Sequence, residues 1–298
     1  MAADLERDLA RRDVLRVATD LVGAANGVAV GAGLLSAWLR DEGVRAALRP
    51  VFEAALPDQR ALIALGDVDV WLVDGRIARG WWEQAAAGPD RELAALGAWR
   101  VAQAHLRGGR ELQAVPFLHQ ADEGGVGGAS LVLARSAIRR GQDVLAAGLL
   151  RRSGLQEAKL HLAEIRLRAD QVDQADRELD WFEPPPWTPG DPDLSAWKRG
   201  IRGEILFRRG AFEAAEVHFD GALNAPGDDR TDRYRLRLAQ IAIEVGDAVS
   251  AHHWLPPLAR ARGAVGREAR LLLDQHEDFV AGGAPMPDAY RPRIGDED

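Results

Sequence analysis

Four arginines occupy one position of a repeating pattern, two residues before a residue that favours a turn. A guanidinium group binds a carboxylate through paired, charge-assisted hydrogen bonds, so arginines that share one surface would bind acidic side chains. The helix dipole also favours cations at the C-terminal end of any helix, and that alternative stays open. The arginines are Arg107, Arg139, Arg168 and Arg208, and the turn residues are Gly109, Gly141, Asp170 and Gly210.

The sequence carries none of the motifs that identify common catalytic sites. It has no G-x-S-x-G or H-E-x-x-H, and the Gly-rich residues 124–130 lack the Lys-Ser/Thr pair of a phosphate-binding loop. Cysteine is absent, and the adjacent His252 and His253 would point about 100° apart on a helix, so neither feature supports a metal site. We therefore expect no catalytic residues, no cofactor and no metal, and a protein that is not an enzyme.

Composition indicates a folded, acidic protein and disfavours nucleic acid as its partner. The net charge is −8, whereas binding to phosphate normally needs a basic face. The absence of Cys fits a reducing compartment, so we expect a cytoplasmic location. Arg supplies nearly all the positive charge, and Lys occurs only at Lys159 and Lys198, which is typical of a GC-rich bacterial genome.

Residues 202–227 predict two helices joined by a tight turn at Gly210. Small and large side chains alternate where the two helices must touch, and Ala215 and Phe219 share one face of the second helix because they are four residues apart. Gly203 would let that face approach the first helix closely. The segment resembles the tetratricopeptide (TPR) repeat. The residues that carry the resemblance are, in order, Gly203, Leu206, Gly210, Phe212, Ala215, Phe219, Ala222 and Pro226.

Equivalent turns recur at about the 34-residue period of the TPR family. Each clear turn precedes a small and a large apolar residue that are four residues apart. These sets are Gly109 with Ala114 and Leu118, Gly141 with Ala146 and Leu150, Asp170 with Ala175 and Leu179, and Gly246 with Ala251 and Leu255. Fainter units turn at Gly43, with Leu48 and Phe52, and at Gly75, with Gly80 and Gln84.

The resemblance implies an all-α fold: an α-solenoid of about five to seven TPR-like helix-turn-helix units with a C-terminal capping helix. Along the chain we expect five segments. They are an N-terminal helical segment at 1–57, the repeat array at 58–265, a Pro-rich loop within it at 184–192, the capping helix at 266–281 and a mobile tail at 282–298.

In TPR folds the first helices of successive units line a concave groove that binds a peptide, and the resemblance places the four arginines late in those helices. It also places a further arginine and two aromatic anchors at groove positions. The expected partner-binding residues are therefore Arg107, Arg135, Arg139, Arg168, Arg208, Trp99 and Phe207. The set of Lys and Asn with which one TPR subclass clamps a C-terminal carboxylate is not present.

The sequence thus predicts a non-enzymatic protein–protein interaction scaffold or adaptor whose partner is a protein or peptide, with acidic segments as the favoured ligand. Two alternatives stay open. The uncharged run at 21–39 would make the protein a membrane-tethered assembly factor if it spans a bilayer, although a buried helix pair is favoured. Residues 68–77 alternate around Asp74-Gly75 and predict either a helix, which we favour, or a hairpin in a separate N-terminal module with an unrecognised catalytic site.

Overall fold

The computed structural model describes residues 46, 49–50, 52–72, 75–180, 182, 194–223 and 230–281. Within these residues every regular element is an α-helix, which confirms the all-α fold class. The chain divides into two compact units. The N-terminal unit ends at Leu155, and the C-terminal unit begins at Gln156.

Six described helices belong to the N-terminal unit and eight to the C-terminal unit. The first six are α1 (Gln59–Leu72), α2 (Gly75–Ala86), α3 (Arg91–Arg107), α4 (Glu111–Glu123), α5 (Gly127–Arg139) and α6 (Asp143–Ser153). The others are α7 (Gln156–Arg168), α8 (Val172–Asp180), α9 (Leu194–Arg208), α10 (Phe212–Leu223), α11 (Thr231–Val245), α12 (Ala248–Ala259), α13 (Ala264–Gln275) and α14 (Glu277–Ala281).

Consecutive helices pack in antiparallel pairs, as in other helical-repeat proteins. The pairs are α1–α2, α3–α4 and α5–α6 in the N-terminal unit, and α7–α8, α9–α10 and α11–α12 in the C-terminal unit. Within the C-terminal unit the first helices of the pairs also pack on one another, in the order α7, α9, α11 and α13. They therefore form one layer of that unit, and their partners form a second layer. This pairwise stacking is the architecture of an α-solenoid.

The five clear turns lie where the sequence predicts them. The backbone has a positive φ at each turn residue, and this left-handed conformation ends one helix so that the next can reverse direction. The values are +67° at Gly109, +72° at Gly141, +73° at Gly210, +79° at Gly246 and 56° at Asp170. Asp170 is the one non-glycine residue among them, and Asp tolerates this conformation better than most side chains do.

The small and large residues that follow each turn form the contact between the paired helices. Every one of them is buried, with at most 3% of its surface exposed. The pairs are Ala114 and Leu118, Ala146 and Leu150, Ala175 and Leu179, Ala215 and Phe219, and Ala251 and Leu255. The predicted face of the second helix is therefore confirmed in all five clear units.

The fainter unit at Gly75 is helical, but its predicted contact residues are wrong. Gln84 is exposed and Gly80 is half-buried, whereas Ala78 and Trp82 are buried and take the small and large positions. The helical interpretation of residues 68–77 holds in its described part, because α1 continues to Leu72 and α2 begins at Gly75.

A buried carboxylate helps to hold α1 and α2 together. Asp69 has no exposed surface, and its two oxygens accept hydrogen bonds from Arg49 Nε and Trp81 Nε1, both at 2.9 Å. A charge buried this deeply needs such partners, because its desolvation would otherwise be costly. Asp69 contributes to the alternation of apolar and polar residues that resembles a strand. In the structure it is a buried, hydrogen-bonded residue of a helix.

The end of the C-terminal unit has the polar outer face expected of a capping element, but it consists of two helices. The first helix ends before His276, and the second begins after it: they are α13 and α14. Ala269 and Val280 face inward and pack against α11 and α12, while Arg267, Glu268 and Asp274 are exposed.

Several predicted segments lie outside the described residues. They include the run at 21–39, the turn at Gly43, the Pro-rich loop at 184–192, the tail at 282–298 and most of the segment at 1–57. Of the helices that the structure does describe, none combines the length and apolar character needed to cross a membrane.

The N-terminal unit should lose stability as the pH falls, because α3 carries a buried histidine. His105 is 7% exposed and stacks on Phe117, with 5.9 Å between the ring centroids. Its Nδ1 atom has no hydrogen-bond partner in the described structure. Burial, and then the charges of Arg110 and Arg79, lower the pKa of His105 below its ordinary value. The unfolded chain therefore binds a proton more readily than the folded chain does.

We expect the free energy of unfolding to decrease as the pH is lowered from about 7.5 to 5, through and below the range in which an unfolded histidine titrates. Urea unfolding across this range, for the wild type and for His105→Leu, measures the effect. The variant should show a shallower dependence on pH, whereas His119→Leu, at an exposed position of α4, should keep the wild-type slope. Equal slopes for all three proteins would contradict the assignment to His105.

Candidate functional site

The layer of first helices in the C-terminal unit contains a cavity of about 210 Å³, which we call the arginine cavity. It is lined by the ends of α7 and α9, by the beginning of α11 and by Phe219 of α10. Five arginines line it: Arg168, Arg208, Arg230, Arg233 and Arg237. Two glutamates, Glu164 and Glu204, line it as well.

The local sequence explains why these charges converge. Helix α7 ends in EIRLR (164–168) and α9 ends in EILFR (204–208), so each helix has a Glu and an Arg four residues apart on one face of its last turns. The two helices are neighbours in the first layer, which brings both pairs to the same place. The third neighbour, α11, adds arginines at 233 and 237, again four residues apart.

Glu164 holds one side of the cavity together. Its Oε1 atom accepts hydrogen bonds from Trp197 Nε1 of α9 at 2.9 Å and from Arg230 Nε at 3.3 Å. The guanidinium carbon of Arg230 lies 3.9 Å from the centroid of the Trp197 ring, a cation–π contact. The hydrogen bonds and the ring together fix the orientation of Arg230.

Glu204 holds the other side through two arginines. Arg237 binds it bidentately, with Nε at 2.6 Å from Oε2 and Nη2 at 2.8 Å from Oε1. Arg208 Nε donates to the same Oε1 at 3.0 Å. The Arg237 guanidinium also lies 4.9 Å from the centroid of the Phe207 ring and donates to Gln240 Oε1 at 2.6 Å. Arg237 is therefore fixed by a carboxylate, an amide and an aromatic ring.

Positive charge remains in excess after these pairs are formed. Five arginines and two glutamates line the cavity, so its lining carries a formal excess of three positive charges. Asp170, outside the lining, offsets part of this excess through its ion pair with Arg208 at 3.1 Å. Arg233 is exposed, and its guanidinium forms no ion pair with a described residue. The arrangement can accept a further carboxylate, because arginines that are already oriented need little additional ordering to bind one.

No protein-family model matches the chain, and comparison with curated proteins finds no similar sequence. Among solved structures, the chain is similar to one described as "Assembly Chaperone of RpL4 (Acl4) (Residues 1-338)". The two share 17% sequence identity, the match covers 90% of this chain and 98% of that chain, and the TM-score is 0.31. Similarity at this level identifies neither a function nor a partner.

Three of the predicted partner-binding residues lie at or beside the arginine cavity. Arg168 and Arg208 line it, each at the end of a first helix. Phe207 does not line it, but its ring makes the cation–π contact with Arg237 and packs against Phe212, with 5.7 Å between the ring centroids. Arg208 Nη1 also donates to the carbonyl oxygen of Leu167 at 2.7 Å, so it binds the C-terminal end of α7 as well.

The other four predicted residues belong to the N-terminal unit, so the structure does not bring them to this cavity. Arg107 and Arg139 are exposed at the ends of α3 and α5, and Arg135 is half-buried one turn before the end of α5. Trp99 is half-buried in α3 and lies against Gly128 of α5, where an added Cβ would be 2.8 Å from the indole ring. As a partner-binding set, these residues stay a prediction.

Of the seven charged residues of the cavity, the repeat pattern finds Arg168 and Arg208 and also aligns Glu204 with the groove. It misses the other four, which are Glu164, Arg230, Arg233 and Arg237. Two signals point to them. The repeated E-I-x-x-R at the ends of α7 and α9 marks Glu164 and Glu204, and the spacing R-x-x-R-x-x-x-R from residue 230 marks the arginines of α11. Neither signal shows by itself that the three helices are neighbours.

The structure brings together no metal-binding cluster in its described part. There, no group of three or more His, Cys, Asp and Glu side chains is arranged to hold a metal ion.

The Gly-rich residues 124–130 form the connection from α4 to α5 and the start of α5. Glycine is required at 127, where a Cβ would lie 2.1 Å from the carbonyl oxygen of Ser153.

Proposed function

We propose that this protein is a non-enzymatic helical-repeat scaffold that binds an acidic segment of a protein partner, with the arginine cavity as the docking site. The observation that carries the proposal is the excess of five arginines over two glutamates in one cavity of a chain whose net charge is −8. A local positive site on an acidic protein selects ligands that bear carboxylates.

The size of the cavity supports a side chain as the group that enters it. Its volume of about 210 Å³ is below the roughly 300–1,000 Å³ of sites that enclose drug-sized ligands. An Asp or Glu side chain of a partner segment would fit, and the rest of the segment would lie along the layer of first helices. The lining also offers apolar surface from Leu167, Ile201 and Tyr234.

Preorganisation supports binding as well. Arg230 lies over Trp197 and Arg237 lies over Phe207, so both guanidiniums are oriented before any partner arrives. Ordering flexible side chains costs about 0.5–1.5 kcal/mol each on binding, and arginines held in this way avoid much of that cost. An incoming carboxylate would share them with Glu164 and Glu204 and would also meet Arg233.

The test is the affinity for a fluorescein-labelled octaglutamate peptide, measured by fluorescence anisotropy, with octaglutamine as the neutral comparison. Reversing two lining charges in the double variant Arg168→Glu/Arg233→Glu should lower the affinity at least about tenfold, because each charge-assisted hydrogen bond contributes about 1.5–3 kcal/mol. Higher salt should weaken binding to the wild type in parallel.

The matched control is Arg151→Glu/Arg267→Glu, which changes the net charge equally at two exposed positions outside the cavity. It should bind octaglutamate nearly as well as the wild type does. If both double variants lose affinity equally, the peptide responds only to net charge, and the cavity is not the docking site. A partner recovered from host extract should likewise depend on Arg168 and Arg233 and not on the control pair.

A further inference from the structure

A second surface of unusual composition lies in the N-terminal unit, where α3 turns into α4 and α5 turns into α6. The helices are antiparallel and α4 packs on α5, so both turns lie at the same edge of this unit. We call it the turn edge and define it by the exposed residues Arg107, Arg110, Leu112, Arg139, Arg140, Val144 and Leu145.

The turn edge exposes aliphatic side chains that the fold does not bury. Leu112 is 85% exposed, Val144 is 92% exposed and Leu145 is 55% exposed. Leu112 and Val144 are each the second residue of their helix, so they occupy equivalent positions in consecutive pairs. Scattered apolar residues are ordinary on a surface, but here strongly exposed aliphatic residues recur at the equivalent position of consecutive helix pairs, beside exposed arginines.

The arginines of the turn edge are not neutralised by ion pairs with described residues. The guanidiniums of Arg107, Arg110, Arg139 and Arg140 form no ion pair with any residue in the described part of the chain. Glu111 and Asp143 stand at the first positions of α4 and α6, where the helix dipole favours them. Four arginines against two carboxylates leave an excess of two positive charges at this edge.

The C-terminal unit shows what such an arginine pair binds when carboxylates are within reach. Arg208 and Arg209 immediately precede the turn at Gly210, as Arg139 and Arg140 precede Gly141. Arg208 Nη1 lies 3.1 Å from Asp170 Oδ1. Arg209 donates to Asp173 at 2.8 Å and to Asp176 at 2.7 Å.

The N-terminal unit has no carboxylate at the equivalent positions. Counted from the preceding turn, Asp170, Asp173 and Asp176 correspond to Gly109, Leu112 and Val115. At the three positions where the C-terminal unit has aspartates that bind its arginine pair, the N-terminal unit therefore has glycine and two aliphatic residues. A ligand that completes this edge must supply both carboxylates and apolar side chains.

We propose that the turn edge docks an acidic amphipathic segment of a protein partner, one that carries aliphatic side chains between carboxylates. The apolar side chains of the segment would cover Leu112 and Val144, and its carboxylates would bind Arg139 and Arg140 as Asp173 and Asp176 bind Arg209. Carboxylates, not phosphates, are the ligands that this geometry binds elsewhere in the same chain. The surface is separate from the arginine cavity and involves none of its residues.

The experiment uses the full chain and a fluorescein-labelled peptide in which Glu-Glu-Leu-Leu is repeated three times. Two comparison peptides replace Leu by Ser or Glu by Lys throughout. Binding should require both residue types, so the wild type should bind each comparison peptide at least about tenfold more weakly than the first peptide.

Two double variants assign the binding to the turn edge. Leu112→Ser/Val144→Ser and Arg139→Glu/Arg140→Glu should each lower the affinity for the Glu-Leu peptide by about tenfold or more. Val217→Ser is the matched control, because Val217 is 71% exposed on α10 and is not a residue of the turn edge. In a protein that carries Arg168→Glu/Arg233→Glu, the substitutions Leu112→Ser/Val144→Ser should lower the affinity for the Glu-Leu peptide by the same factor as in the wild type. This result separates the proposal from that of the arginine cavity.

Three outcomes would overturn the proposal. The first is failure of the Glu-Leu peptide to bind to the wild-type protein. The second is binding that Leu112→Ser/Val144→Ser leaves unchanged. The third is a result in which the turn-edge variants lose binding to vesicles rich in phosphatidylserine but still bind the peptide. That result would identify a membrane surface as the ligand instead.

Discussion

Replacing Phe219 with Ala should lower the free energy of unfolding of the C-terminal unit by about 3–5 kcal/mol. Phe219 has no exposed surface and packs against Ala215, Ala222 and Tyr234, with 5.9 Å between the two ring centroids. Gly203 of α9 faces the ring so closely that an added Cβ would lie 2.8 Å from it. Removing the ring would leave a cavity between α9, α10 and α11 that these helices cannot close without losing other contacts.

Urea unfolding followed by far-ultraviolet circular dichroism measures this effect. Val217→Ala is the matched control, since Val217 lies in the same helix and is 71% exposed. It should change the free energy of unfolding by less than about 0.5 kcal/mol. A Phe219→Ala protein as stable as this control would show that the ring does not fill the contact between paired helices.

Phe219 also shows why so much of the fold is predictable from sequence. The turn at Gly210, the small Ala215 and the large Phe219 lie within ten residues of one another, so their spacing is a local signal. The same signal correctly places the other four clear turns and their buried pairs. It fails at α2, where GRIARGWWEQAA offers two aromatic residues and several small ones, and burial selects Ala78 and Trp82 instead of Gly80 and Gln84.

The candidate site is less predictable because it joins residues from three different helix pairs. The rule that places an arginine two residues before each turn finds Arg168 and Arg208. It does not find Arg230, Arg233 and Arg237, which lie near the beginning of a first helix and not near its end. Whether such residues meet the ends of α7 and α9 depends on how the pairs stack, and this is set by long-range packing.

Arg208 makes an interaction at the end of a helix, whereas partner binding by the four arginines that precede the turns stays a prediction. Arg208 binds the carbonyl oxygen of Leu167 at the end of α7, a helix-terminus interaction of the kind that the dipole alternative predicts. The same guanidinium lines the arginine cavity and bonds to Glu204. A helix-end arginine can thus bond to the end of a neighbouring helix and to a carboxylate at the same time.

Replacing Gly97 with Ala should destabilise the N-terminal unit by about 1–3 kcal/mol, although the same substitution usually stabilises an exposed helix. Gly97 is buried in α3 where α2 crosses it. An added Cβ would lie 2.7 Å from the backbone nitrogen of Ala86 and 2.9 Å from the carbonyl oxygen of Trp82. Because both contacts are with backbone atoms, no rotation of a side chain can relieve them, and the two helices must separate.

Gly148→Ala is the matched control for Gly97→Ala and should change stability in the opposite direction. Gly148 is an exposed residue inside α6, and no atom outside its own turns of helix lies within 4 Å of an added Cβ. Alanine there should raise the free energy of unfolding by about 0.5–1 kcal/mol, since it restricts the unfolded chain and favours the helix. Urea unfolding of both variants measures the pair of effects. The close approach of α2 and α3 would be contradicted if Gly97→Ala stabilised the unit as much as Gly148→Ala does, because only a clash at the helix crossing can reverse the sign.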